Sequence, residues 1–229
     1  MLRSILFPSM YLWLSHVTYS YSEMPVLEDI SLSVGKGEWI AIYGVSGSGK
    51  TTLLKMLGTL IRARSGMYEI GGRNIYTLSL SALRTLRRKH FGYILSDHHF
   101  LEDMTVRENI LLSHTLNRIS YDTKRLDMLL SILEMEAFLD VGMSHLSTWQ
   151  RDRVAIIAGL VHNPLCIIID EPWSSLHEDM RSRLYTLLEH ERKDGKIILS
   201  ASHDPLLQNL TTQSYILYDH TLHPYTSQK

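Results

Sequence analysis

An α/β fold built on a mostly parallel, doubly wound sheet is predicted for these 229 residues on three grounds. Strand-like runs short enough to be buried, Trp39 to Tyr43, Leu165 to Ile169 and Lys196 to Ser200, alternate with segments of helical periodicity. A glycine-rich turn, Gly44 to Thr52, joins the first of those strands to a helical pattern. From Ser96 to about Gly159 the periodicity is helical almost throughout, which reads as a helical insert between two strands.

The elements follow in order. Leu12 to Tyr19 reads as a first strand, behind an irregular extension from Met1 to Ser9, with Met10 a second plausible start. Ile5 to Leu14 resembles a signal peptide only superficially, since no small-residue cleavage site follows it. Val26 to Val34 alternates apolar and polar residues, an antiparallel signal, and Gly35-Lys-Gly37 turns the chain into Trp39 to Tyr43. A helix is expected over Thr52 to Leu60, a short strand over Met67 to Ile70, a Ser79-capped helix after it, and a strand over Phe91 to Leu95. The insert should hold helices over Thr105 to Leu116, over Asp122 to Met135, and from near Ser147. After the strand Leu165 to Ile169 come a helix over about His177 to Arg192 and strands over Lys196 to Ser200 and Ser214 to Tyr218.

Composition narrows the function. With 45% apolar residues the chain can bury a full core, and one domain with lobes is the default. The formal charge of −1 gives no reason to expect nucleic acid as a partner, and the basic run Arg84, Arg87, Arg88 and Lys89 reads as a solvated helix face. The lone Cys166 cannot form an intrachain disulfide and reads as a small buried side chain. No stretch approaches the roughly 20 apolar residues a membrane-spanning helix needs.

Gly44 to Thr51 fits the phosphate-loop pattern G-x-x-x-x-G-K-[ST] in the context that pattern requires, a strand before and a helix after. Gly44, Gly47 and Gly49 let the backbone curl so that successive N–H groups, with those of Ser46, Ser48 and Thr52, turn toward an anion at a helix start. Lys50 can reach β- and γ-phosphates, and the Thr51 hydroxyl can ligate Mg²⁺. Asp170, at the end of an apolar strand, is suited to holding Mg²⁺ through water, and Glu171 beside it to polarising a water for in-line attack. His203, just beyond another strand, can donate to a γ-phosphate.

Together these residues resemble the ATPase subunits of ABC (ATP-binding cassette) transporters over nearly the whole chain. The most specific likeness is Leu146 to Ile156, LSTWQRDRVAI, set against the family's signature segment LSGGQxxRVAI. That segment and Phe91 to Leu101 are most similar to the branch serving lipoprotein release and macrolide or peptide export. The resemblance implies a P-loop NTPase of ABC type: a RecA-like parallel-sheet core (1–95 and 160–229), an antiparallel β subdomain, and an α-helical subdomain (96–159), all in one domain. It also implies that Tyr21 stacks on adenine, that His203 is the switch histidine, and that Ser96 contacts the nucleotide site. Ser147, Thr148, Trp149 and Gln150 would face ATP bound on a partner subunit, whether identical or different. ATP and Mg²⁺ are the implied cofactors, hydrolysis drives a separate integral membrane permease, and the chain sits at the inner face of the cell membrane through that permease. A regulatory switch with little hydrolysis is the alternative.

Three positions depart from the family pattern. Thr148-Trp149 replaces a glycine pair that lets backbone approach the γ-phosphate closely. Ser96 replaces a longer glutamine, and His177 replaces an aspartate. Slow hydrolysis by the chain alone is therefore expected, because one lost transition-state contact can cost on the order of 10²–10³ in rate.

Overall fold

The computed structural model describes residues 11–97, 99–117, 120–171, 176–202 and 205–225. The chain opens with a hairpin of β1 (Leu12–Tyr21) and β2 (Met24–Val34), paired antiparallel from Leu12 opposite Val34 to Tyr21 opposite Met24. Alternation puts Leu12, Leu14, Leu32 and Val34 inside, and β4 (Ser65–Ile70) with β5 (Arg73–Asn74) completes a four-stranded antiparallel sheet ordered β2-β1-β4-β5.

The second sheet has six strands. β3 (Trp39–Tyr43), β6 (Phe91–Ile94), β7 (Cys166–Asp170), β8 (Ile197–Ala201), β9 (Gln213–Tyr218) and β10 (Thr221–Pro224) run in the order β10-β9-β3-β8-β7-β6. The pairs β3–β8, β3–β9, β7–β8 and β6–β7 are parallel, and β10 alone pairs antiparallel. Because successive side chains point to opposite faces, each strand feeds two cores. Trp39, Ala41, Ile167, Ile169 and Ile198 pack on the face covered by the helical segment; Ile40, Ile42, Cys166, Ile168 and Leu199 pack toward the antiparallel sheet. Trp39 is fully buried, and its indole N–H donates to Ser200 Oγ at 3.0 Å, which removes the cost of leaving that group unpaired.

The helices around this sheet are α1 (Lys50–Leu57), α2 (Leu80–His90), α3 (Val106–Ile110), α4 (Leu112–Asn117), α5 (Thr123–Leu133), α6 (Thr148–Leu160) and α7 (Glu178–Lys193). Ser79 caps α2 through a bond from Ala82 N–H, and Asp122 caps α5 through one from Arg125 N–H. Sequence and structure differ at several edges. The helix expected over Thr105 to Leu116 is two helices meeting at Leu111; the Asn109 side chain bonds the backbone of Leu101 and Thr105 and ties the first of them to its own approach. α1 begins at Lys50 rather than Thr52, since Gly49 caps it at φ 105°, and stops at Leu57. β7 runs one residue further than expected, so Asp170 is its last member, paired with Ala201. β5 and β10 were not anticipated, being short and, in β10, carrying a proline that only an edge strand accepts. Met1 to Ser9 lies outside the described residues.

Candidate active site

The phosphate loop hangs between β3 and α1, and glycine is required there for two reasons. Gly44, Gly47 and Gly49 have φ of 151°, 79° and 105°, values an L side chain rarely adopts. At Gly44 a Cβ would also lie 2.6 Å from the carbonyl oxygen of Leu217 and 2.7 Å from Ser48 Oγ. Ser46 is exposed on the loop, while Ser48 Oγ is buried without a hydrogen-bond partner. Thr52 is buried in the first turn of α1.

Lys50 is only 7% exposed, and its Nζ donates to the carbonyls of Gly44 (2.8 Å) and Val45 (3.2 Å), closing the loop on itself. Glu171 Oε1 is 3.7 Å from the same ammonium. Thr51 Oγ1 donates to Asp170 Oδ2 at 2.7 Å, and Ser96 Oγ donates to that oxygen at 3.3 Å. Five of the residues singled out from sequence thus meet at the carboxyl ends of β3, β6 and β7. Glu171 holds a left-handed backbone with φ 52°, a conformation that costs a non-glycine residue about 1–3 kcal/mol and is characteristic of functional positions.

Tyr21 ends β1, half exposed, with its ring edge-on to Tyr19 at 5.0 Å. The same hairpin brings Val26 against Gly49 of the loop, two residues beyond Met24, which pairs with Tyr21. His203 lies outside the described residues; Ser202 before it is buried, and its N–H bonds the Ile42 carbonyl at 3.2 Å. His177 is the N-cap of α7 in place of the family's aspartate, and its side chain makes no capping bond.

Ser147 to Gln150 form the start of α6, about 17 Å along the helix from its Gly159 end. The Ser147 N–H and Oγ both donate to Gln150 Oε1 at 2.9 Å, a capping arrangement that fixes the helix start where the pattern places it. Thr148 and Trp149 are both exposed. Trp149 is held by the Arg153 guanidinium, 4.4 Å from the indole ring.

Sequence reasoning missed the Lys55–Asp97 pair, 2.6 Å apart, which ties the segment after Ser96 to α1. The hydrogen bond holds the Asp97 carboxyl below and the Lys55 ammonium above their ordinary values. Two charges 42 positions apart leave no local signal.

The sequence pattern of the ABC transporter family matches residues 27–174. The chain belongs to the ABC transporter family. The cassette is 36% identical over 201 residues to the macrolide export ATP-binding/permease protein MacB of Salmonella choleraesuis, a match covering 85% of this chain and 31% of that protein. MacB of Escherichia coli K12 is 34% identical over 185 residues, 80% of this chain and 28% of that one. The cassette therefore spans about a third of these relatives' length. Among solved structures, the dimeric form of MJ0796, a bacterial ABC transporter cassette, superposes with a TM-score of 0.84 at 26% identity, covering 95% of this chain and all of the other. Its post-hydrolysis state bound to ADP and Pi gives 0.85, covering 95% and 99%. The fold is that of an ABC ATPase, whose nucleotide is ATP with Mg²⁺.

The residues present suit both groups. A buried Ser48 hydroxyl without a hydrogen-bond partner, a loop whose Gly44, Gly47 and Gly49 have positive φ, and a buried Lys50 ammonium at the start of a helix fit a polyphosphate. The converging oxygens of Thr51 and Asp170 are hard donors of the kind Mg²⁺ prefers.

Proposed function

We propose that this cassette hydrolyses ATP as one of a closing pair that drives an integral membrane permease in export. The carrying observation is the cluster of Lys50, Thr51, Asp170 and Glu171 under a loop that only glycine can form. Lys50 would leave the carbonyls of Gly44 and Val45 for β- and γ-phosphate oxygens, the N–H groups of Gly47 to Thr52 would hold the remaining charge, and Tyr21 would stack on adenine. The Thr51 hydroxyl and Asp170 would hold Mg²⁺, which would supply positive charge to offset that of the phosphates. Glu171 takes a proton from the attacking water as its oxygen bonds the γ-phosphorus and ADP leaves. His203 donates to the γ-phosphate.

Ser147, Thr148, Trp149 and Gln150 belong to the partner's site in this reading, completing the phosphate contacts across the pair. Residues 96–159 act as the helical lobe that carries them. Among the described residues no helix is long and apolar enough to cross a membrane. In this reading an integral membrane permease holds the cassette at the inner face of the cell membrane. A groove of about 420 Å³ between α2, β6 and the end of α6, walled by Arg84, Arg87 and Arg88, would suit an acidic segment of that permease. Three of the four residues of the basic run wall that groove, and Lys89 is exposed outside it.

The exposed Trp149 on the capped start of α6 favours a second form of the same reading: an unequal pair in which another cassette supplies an unobstructed signature. Glu171→Gln is the test of the whole proposal. It should hold ATP with turnover reduced 10²-fold or more, measured as phosphate release and as nucleotide trapped on the protein. Unchanged turnover would remove Glu171 from the role of base.

A further inference from the structure

The helices α5 and α6 run antiparallel and are joined at both ends by arginines. Arg125, in the first turn of α5, donates from Nε to the Leu160 carbonyl at the end of α6 (2.8 Å). Arg153, near the start of α6, donates from Nη1 to the Leu133 carbonyl at the end of α5 (3.1 Å). Arg153 satisfies the Leu133 carbonyl at the end of α5, while Arg125 shares the Leu160 carbonyl with the Asn163 N–H, and both set positive charge against the negative end of a helix dipole. These bonds tie the two helices together.

The Arg125 end of that pair is anchored in the core by buried charge. Arg125 Nη2 lies 2.8 Å from Glu191 Oε1 on α7. The other oxygen of Glu191 takes the ammonium of Lys196, just before β8, which also bonds Asn163 Oδ1, just past α6. Glu191 is 3% exposed and Lys196 8%. Next to this cluster α6 touches β6 backbone to backbone, since a Cβ on Gly92 would sit 2.1 Å from the Gly159 carbonyl oxygen. The His162 ring nitrogen Nε2 is 2.8 Å from the Phe91 carbonyl. All of these contacts gather at the carboxyl end of α6, and its opposite end carries Ser147 to Gln150.

We infer that Arg125, Glu191 and Lys196 are positioning residues that set the angle of the α5–α6 pair on the central sheet, and thereby the placement of Ser147 to Gln150. The inference rests on the proposed role of that helix start. Buried ion clusters add little stability over well-packed apolar groups, but the hydrogen bonds from Arg125 to Leu160 and from Lys196 to Glu191 and Asn163 are directional. A change of about 10° at the anchored end displaces the start of α6, roughly 17 Å away, by about 3 Å. An error of about 1 Å at a reacting centre can already cost on the order of 10² in rate.

The test uses the full chain with spin labels at Lys36→Cys on the core and Ser144→Cys beside the start of α6, both exposed; the buried Cys166 does not react. The variant Arg125→Met/Glu191→Met/Lys196→Met replaces charge by apolar volume. Glu191→Asp, which keeps all three charges and shortens one arm by a methylene, gives the same readout should the first not fold. Without nucleotide, the distance distribution should shift or broaden by about 3 Å relative to the parent; turnover should fall roughly tenfold with the KM for ATP within about twofold. A distribution unchanged from the parent overturns the inference. A broadened distribution with parental turnover upholds the positioning role and instead sinks the catalytic reading of the α6 start.

Discussion

At the carboxyl ends of β3 and β7, Lys50, Thr51, Asp170 and Glu171 sit in mutual contact beneath a strained glycine loop; at the start of α6, two residues of the family pattern are replaced and the helix presents an exposed indole. The two regions carry complementary duties in the proposed pair, and only the first is intact. The contrast teaches that the demands on them differ in kind. In that proposal the loop must form for the chain to hold nucleotide at all, whereas the α6 start would serve a neighbouring molecule. A defect there can be made good by a partner, so the loop tolerates less change.

The sharpest way to break that comparison is Gly44→Ala. Its methyl would meet backbone at 2.6 Å with φ at 151°, and no side chain can yield to relieve it. A loss of about 2–4 kcal/mol in unfolding free energy is expected. ATP affinity should fall more than tenfold, read by equilibrium binding. Next in size, Thr148→Gly/Trp149→Gly should raise turnover of the purified chain about tenfold while leaving its ATP affinity within twofold, since the change lies outside its own loop. Equal rates would show that the indole does not obstruct. Ser96→Gln should raise turnover by a few-fold at most, because it restores reach toward the site and forfeits the bond to Asp170.

The smallest effect concerns the anchored end of α6. Burial, with the nearby Arg125 charge, pushes the Lys196 ammonium down to about 7 against the pull of Glu191. Between that value and the ordinary value of about 10.4 the folded chain binds fewer protons than the unfolded one. Stability should therefore rise with pH across this window and be lowest below it. Denaturant titrations of the Lys196→Met variant should show a flatter rise than the parent.

What was legible beforehand follows from what is local. The phosphate loop, the Ser79 cap, the helix starting near Ser147 and the buried strands all carry their signal within a few consecutive residues, and each was found within about a residue of where sequence placed it. The Arg125–Glu191–Lys196 cluster was invisible because its members come from three separate elements and each, read alone, is an ordinary surface residue type. The turn at Leu111 escaped notice for a related reason: α3 and α4 share one continuous periodicity, and the change of course goes with tertiary bonds from Asn109. Ser96 was expected at the nucleotide site with a shorter reach than the family's glutamine, and its hydroxyl bonds Asp170 because β6 ends beside β7.

The stacked pair of Trp149 and Arg153 gives the molecule an optical handle among its four tryptophans. Trp39 is fully buried and its emission should be insensitive to assembly, whereas Trp149 is 43% exposed on the face proposed to meet a partner, and its share of the signal is the part lost in Trp149→Phe. Closure over that face would take the indole out of water and move its fluorescence toward shorter wavelength. Association driven by nucleotide could then be timed in the unlabelled protein, and Trp149→Phe would silence the signal.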